Sequence, residues 1–300
     1  MPQKALSRYA WFVLVFNIGV ILVGAWVRAS GSGAGCGRSW PTCQGSLIPE
    51  LEGHTAIEFT HRAVSGIALM LVVLLAVLVW RATQKDHPAR TGAVLSVVAI
   101  VGEALIGAMI VLAEWVAHDD SVARVVAVPL HLVNTLFLLA VLTLTIFWLS
   151  GGGRLRWSSA SERLRRGVLA AGLSLVALAA TGAVTALADT LFPKGGDLSA
   201  EAHFLTAVRI VHPLLALVIL ASTWVVASRT SRRLAGWVPA LVGLMALTGV
   251  ANIAFGVPLW AQLLHLAVAD VLWVTFVMIS ARALASHLMD APTGRPVLSD

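Results

Sequence analysis

Ile57-Glu58-Phe59-Thr60-His61-Arg62 opens a run that stays apolar to about Val79. A carboxylate, an imidazole and a guanidinium therefore enter a segment of roughly 20 residues, the length at which an apolar helix crosses a bilayer. Ionisable groups are costly at that depth and face a protein interior, where they pair or act. Glu58 and His61 are three residues apart, which puts them on one face of a helix. The rest of the sequence has to supply what that face looks at.

Composition gives the class. Of 300 residues, 58% are hydrophobic and 12% charged, with a mean hydropathy of +0.87. A soluble domain carries about 25% charged residues, so the chain reads as an all-α integral membrane protein. The sequence pI near 10.3 does not point to nucleic acid, because the basic residues lie in short loops between apolar runs instead of on one soluble face. Lys4 and Arg8 lead straight into the first run, which is too long for a signal-peptide core and has no small-residue cleavage site after it. It reads as an uncleaved first span. No Arg/Ser-rich transit peptide precedes it, which favours the plasma membrane of a bacterium.

Eight apolar windows predict spans at Tyr9–Ala29, Glu58–Arg81, Thr91–Glu114, Val126–Leu149, Arg166–Asp189, Thr206–Ser228, Leu234–Phe255 and Trp260–Ala285. Fifteen of the 21 Lys and Arg residues fall in the termini and in the connections 82–90, 150–165 and 229–233 or at the span ends beside them. Arg28, Arg38, Arg62, Arg124, Lys194 and Arg209 lie toward the other side. The positive-inside rule then places both termini in the cytoplasm and loop 30–57 outside.

The Gly-rich loop 150–165 divides the chain into residues 1–150 and 151–300. Leu130-His131-Leu132 at the start of the fourth span matches Leu264-His265-Leu266 in the eighth, and Gly24-Ala25 matches Gly182-Ala183. A four-span repeat keeps its orientation, so the expected architecture is two pseudo-symmetric four-helix bundles as parallel repeats. His61, His131, His212 and His265 all sit on even-numbered spans, one or two turns from the outer end. Paired within halves, each bundle offers two imidazoles, the axial set of a haem iron. The other five histidines read as solvated. Zinc would need a fuller tetrahedral set, and an interhelical hydrogen bond or a proton relay are the remaining readings. Arg28, Arg62 and Arg209 flank the histidine layer and suit haem propionates, or simply snorkel to the interface. Cys36 and Cys43 lie in the outer loop, where a disulfide is permitted, as a structural staple or as a redox-active pair. Glu103 and Asp270 face a bundle interior as packing or proton-path residues.

The motif Gly33-x-Gly35-Cys36-x-x-x-Trp40-Pro41-x-Cys43, followed by Glu58-Phe59-Thr60-His61-Arg62, resembles the haem A synthase family, in the paired-cysteine subtype common in Gram-positive bacteria. The resemblance extends over nearly the whole chain. It implies oxidation of a ring methyl of haem O to a formyl group through hydroxylated intermediates, with water as oxygen source, to supply haem A to terminal oxidases. By the same resemblance His61 and His131 hold the substrate haem O, His212 and His265 hold a resident haem b, Glu58 is the catalytic glutamate, and Cys36 and Cys43 form the disulfide. It also implies a partner that makes haem O, a farnesyltransferase, and an electron acceptor not encoded here. Between the cysteines the family usually carries acidic residues, where this chain has Arg38-Ser39. Only the first half places an acid one turn before its histidine; the second has Arg209 there. The alternatives are a dihaem b-type electron carrier and a transporter. The electron acceptor and the oligomeric state, homo-oligomer included, are not legible in the sequence.

Overall fold

The computed structural model describes residues 2–192, 204–205, 209–228 and 234–285, with side chains left undescribed over 220–239. Among the described residues the chain is helical, with eight long helices: α1 Gln3–Ala29, α2 Gly53–Ala82, α3 Ala89–Leu112, α4 Val122–Leu149, α5 Glu162–Leu191, α6 Val211–Ser228, α7 Leu234–Ala254 and α8 Leu259–Ala285. Six of them (α1 to α5 and α8) are long and apolar enough to cross a membrane. At 1.5 Å per residue, the 27 residues of α1 rise about 40 Å. His203, Lys194, Arg229, Arg232, Arg233, His287, Arg295 and the start of the expected span at Thr206 lie outside the described residues.

Several helices begin before the apolar windows do. α2 starts at Gly53 and α4 at Val122. In α4 the Ser121 hydroxyl accepts the Arg124 amide at 3.3 Å, and in α5 Ser161 accepts that of Leu164 at 3.3 Å. These caps satisfy N–H groups that the first turn leaves without partners.

α1 packs on α2, α2 on α3, α3 on α4, and α4 returns to α1. In the same way α5 meets α6, α6 meets α7, α7 meets α8, and α8 returns to α5. α4 and α1 pack on α5 and α8 to join the two rings. The seam carries a hydrogen bond from Trp273 Nε1 to the Leu136 carbonyl (2.7 Å).

The dry core is not evenly spread. Its main cluster includes the fully buried Leu6, Val13 and Leu14 on α1, Val72, Leu75 and Val79 on α2, and Leu139, Leu142 and Ile146 on α4, while Leu187 and Leu205 are buried apart from it. The cluster occupies the end where α1 begins and α2 and α4 finish. The basic connections gather there too: Arg154 donates to the Asp86 carbonyl (2.6 Å), and Ser7 bonds Ser150 (2.9 Å). Loop 30–52 lies at the opposite end. Large apolar side chains such as Val15, Met70, Trp80 and Leu105 are exposed on the outer helix faces, as lipid-facing positions require.

Packing at the basic end tolerates no added volume where α3 crosses α4. A Cβ at Gly92 would overlap Thr145 Oγ1 and meet Trp148 at 3.0 Å, whereas one at Gly19 would meet nothing within 4 Å. Gly92→Val is expected to destabilise the detergent-solubilised protein by about 1–3 kcal/mol, read as a lower melting temperature. Gly19→Ala should leave it unchanged or slightly raised.

Candidate functional site: a clamped carboxylate and four histidines

Loop 30–52 is seated on the first turns of α2. Cys36 and Cys43 form a disulfide, with Cα atoms 4.5 Å apart, and both are buried. Gly35 lies so close to α2 that a Cβ there would stand 2.5 Å from the His54 carbonyl carbon and oxygen. Its own carbonyl accepts from Thr55 Oγ1 (2.8 Å) and Gln44 Nε2 (3.0 Å). Only a residue without a side chain allows this approach.

The seat brings the Cys36 amide to Glu58, whose Oε2 accepts it at 2.8 Å. Glu58 Oε1 accepts from Arg62 Nε (3.1 Å) and Nη2 (2.6 Å), the i,i+4 partner one turn on. Arg62 Nη1 also donates to the Ser39 and Thr42 carbonyls, both at 2.6 Å. One buried carboxylate, 3% exposed, thus receives three N–H groups, and its guanidinium partner grips both sides of the disulfide loop. A carboxylate has about four acceptor positions, so one remains, on Oε2. Arg38, between the two cysteines, approaches Glu114 at 3.6 Å in an exposed pair, a contact of little energetic weight.

The four histidines share one packing motif. The ring of His61 on α2 lies over Gly24 of α1, where a Cβ would come within 2.9 Å. His131 on α4 lies over Gly107 of α3 at 4.0 Å, His212 on α6 over Gly182 of α5 at 2.9 Å, and His265 on α8 over Gly249 of α7 at 3.2 Å. Each odd-numbered helix lends a glycine to the histidine of the next. His212 and His265 have ring centroids 6.3 Å apart, near perpendicular. His61 and His131 lie on α2 and α4 of the first ring of helices.

The Nδ1 atoms differ. His212 Nδ1 lies 3.1 Å from the Leu178 carbonyl and 3.3 Å from Thr181 Oγ1. His265 Nδ1 lies 3.0 Å from Thr248 Oγ1. Nε2 of each is the nitrogen left for a metal. Two imidazoles sharing one metal, each with a bond of about 2.0 Å and a ring centre about 1 Å behind its nitrogen, place their centroids roughly 6 Å apart. The second pair therefore fits a bis-imidazole haem by separation and by orientation of its polar partners. Among the described residues no three His, Cys, Asp or Glu side chains gather as a site for a bare metal ion, so a tetrahedral zinc set has no candidate there. His61 Nδ1 is buried with no hydrogen-bond partner. His131 Nδ1 is likewise buried without an aligned hydrogen bond, but stands 3.1 Å from Glu103 Oε2 in an ion-pair contact.

The arginines expected beside the histidines all engage protein oxygens. Arg28 reaches from α1 to the Ala186 carbonyl (2.5 Å) and Thr190 Oγ1 (2.6 Å) of α5 and to Gln262 Oε1 (2.7 Å) of α8. Arg209 pairs with Asp189 (3.0 Å) and donates to the Ala188 (2.6 Å) and Phe192 carbonyls. Asp270 is buried in α8 and its Oδ2 has no hydrogen-bond partner. The sequence reading gave no role to Asn134 and Thr135, both of which bond Glu103. Their spacing of three and four from His131 was the available signal.

The profile of the COX15-CtaA family, described as cytochrome oxidase assembly protein, matches residues 7–277. A protoheme IX farnesyltransferase of Thermus thermophilus is 45% identical over 298 residues, covering 93% of this chain and 48% of that protein. The chain thus spans about half the length of that relative. The heme A synthases of Bacillus licheniformis and Shouchella clausii are 41% identical over 106 residues and 44% over 110, in each case 35% of this chain and about a third of the relative.

Removing the guanidinium that grips the loop has a direct consequence. Arg62→Leu leaves the Ser39 and Thr42 carbonyls without their donor and Glu58 without its counter-charge. Hydrogen bonds to charged groups contribute about 1.5–3 kcal/mol, so limited proteolysis within residues 38–47 should speed up about tenfold or more. Cleavage at the wild-type rate would show that the loop is held by something else.

Proposed function

The chain belongs to the COX15-CtaA family of cytochrome oxidase assembly proteins, and from that membership we propose that it is a haem A synthase. It would oxidise a ring methyl of haem O to a formyl group through hydroxylated intermediates, with water as oxygen source and the four electrons released passing to an external electron acceptor. The observation that carries this reading is Glu58. It is buried, held by the Cys36 amide and Arg62, one turn before His61, with one acceptor position to spare. The corresponding position in the second half is Arg209, so the halves divide into one with an acid and one without.

On this reading His61 and His131 hold substrate haem O in the α1–α4 half, residues 1–150. His212 and His265 hold haem b in the half 151–300. A bound haem b supplies one-electron redox capacity. Glu58 uses its spare acceptor position to orient a water and take its proton. Arg62 and the Cys36 amide keep the carboxylate from rotating away. The disulfide loop covers the acid and limits access of bulk water. A propionate at Arg28, Arg62 or Arg209 would share each guanidinium with the partners described above. The basic end of the helices faces the cytoplasm and the histidine layer faces outward across a bacterial plasma membrane, supported by the distribution of Lys and Arg.

The Thermus relative is named for farnesyl transfer. Its alignment with this chain accounts for about half of it, so that name need not describe the matched half. A single polypeptide uniting both would link the step that makes haem O to the step that consumes it, which supports a farnesyltransferase as the functional partner. A dihaem electron carrier accounts for the histidines but leaves the clamped Glu58 without a task.

Glu58→Gln and Glu58→Ala should retain haem and lose haem A formation by about 10²–10⁴-fold, measured by mass analysis of pigment extracted from the purified protein. Full conversion in either variant removes Glu58 from the chemistry. Wild-type protein carrying haem b alone would favour the electron carrier, and protein converting protohaem to haem O would favour farnesyl transfer.

A further inference from the structure

Glu103 has no part in the reaction above, yet it is the only carboxylate among the described residues placed against one of the four histidines. Its Oε2 stands 3.1 Å from His131 Nδ1. It is fixed from α4 by two further donors: Asn134 Nδ2 to Oε1 (2.5 Å) and Thr135 Oγ1 to Oε2 (3.0 Å). Asn134 in turn donates to the Ala99 carbonyl (2.9 Å), and the single Thr135 hydroxyl proton is shared between Glu103 Oε2 and the carbonyl of His131 itself (2.9 Å). The carboxylate therefore cannot swing away without breaking bonds to the helix that carries the histidine.

The other three histidines are backed differently. His212 and His265 have neutral oxygens at Nδ1; neither His61 Nδ1 nor His131 Nδ1 makes an aligned hydrogen bond, and what sets His131 apart is the 3.1 Å ion-pair contact of its Nδ1 with Glu103. A carboxylate behind a ligating imidazole fixes its tautomer and ring plane and makes it a stronger electron donor, whereas a carbonyl or hydroxyl does so less. The two ligands proposed for the first haem are thus unequal.

We propose that Glu103 is the positioning residue of His131, holding its Nδ1 side so that Nε2 is the fixed, strong ligand of the first haem, while His61 is the weaker one. This rests on the reading that His131 ligates a haem. A site that must take up its haem as substrate and release it as product gains from that inequality: one bond anchors and the other yields.

The test uses the full-length purified chain titrated with ferric protoporphyrin IX, in a His212→Ala background that leaves the first pair as the bis-imidazole site. Glu103→Gln should weaken binding about 10–100-fold. It should also shift the low-spin electron paramagnetic resonance signal toward that of the His212/His265 pair, recorded separately in a His131→Ala background. Glu103→Asp, which retracts the carboxylate by one methylene, should move the signal the same way and serves if the glutamine variant does not fold. Thr135→Val removes one of the two donors that fix Glu103 without touching the imidazole ring and should move the signal part of the way in the same direction. Glu103 variants that match the wild type in affinity and signal, while His131→Ala abolishes the site, would overturn the proposal and leave the haem assignment standing. If His131→Ala also changes nothing, the haem assignment itself falls.

Discussion

A carboxylate buried at the mouth of an apolar helix must be given donors, because an uncompensated charge there costs several kcal/mol. Glu58 meets that constraint in two directions at once. One oxygen takes its donors from a guanidinium on its own helix, and the other takes the backbone amide of Cys36, 22 residues earlier. The second bond exists only if the loop is folded back on α2. That requires the disulfide to close the loop and Gly35 to let the backbones touch. The acid, the loop and the first histidine are therefore one unit.

The glycine–histidine contacts obey a related constraint. An imidazole lying flat against a neighbouring helix needs a residue without a side chain beneath it. The contact recurs from each odd helix to the next even one: at Gly24, Gly182 and Gly249 an added Cβ would come within 3.2 Å of the ring, whereas at Gly107 it would stand at an ordinary 4.0 Å. The main cluster of buried apolar side chains lies toward the far end.

Much of the helical layout is legible in the sequence, because runs of apolar residues long enough to span a bilayer are hard to mistake. The helix starts are less so: Gly53–Ile57 is a polar turn that continues α2 beyond the apolar window, and hydropathy does not register polar turns as helix. The Cys36–Cys43 pair is legible from its spacing and compartment. Glu103 is visible as a costly residue, but periodicity within α3 does not say which helix it faces, and its neighbour His131 comes from α4. The partners of Arg28, Arg62 and Arg209 are harder still. Most of them are backbone carbonyls, and a carbonyl leaves no trace in residue identity.

The uneven core also sets how these helices can part. Where side chains interlock at the basic end, sliding or separation carries the full penalty of broken packing. Toward the histidines directional contacts add to the packing of Leu187 and Leu205: the Arg28 bridge from α1 to α5 and α8, the Arg209–Asp189 pair and the seated loop. The array is built like a clothes-peg: the tight end is the fulcrum, so any opening is angular and widest at the jaws. Displacements that would be negligible beside Leu75 and Leu142 grow with distance along about 40 Å of helix, and reach their largest value at the rim where the loop sits.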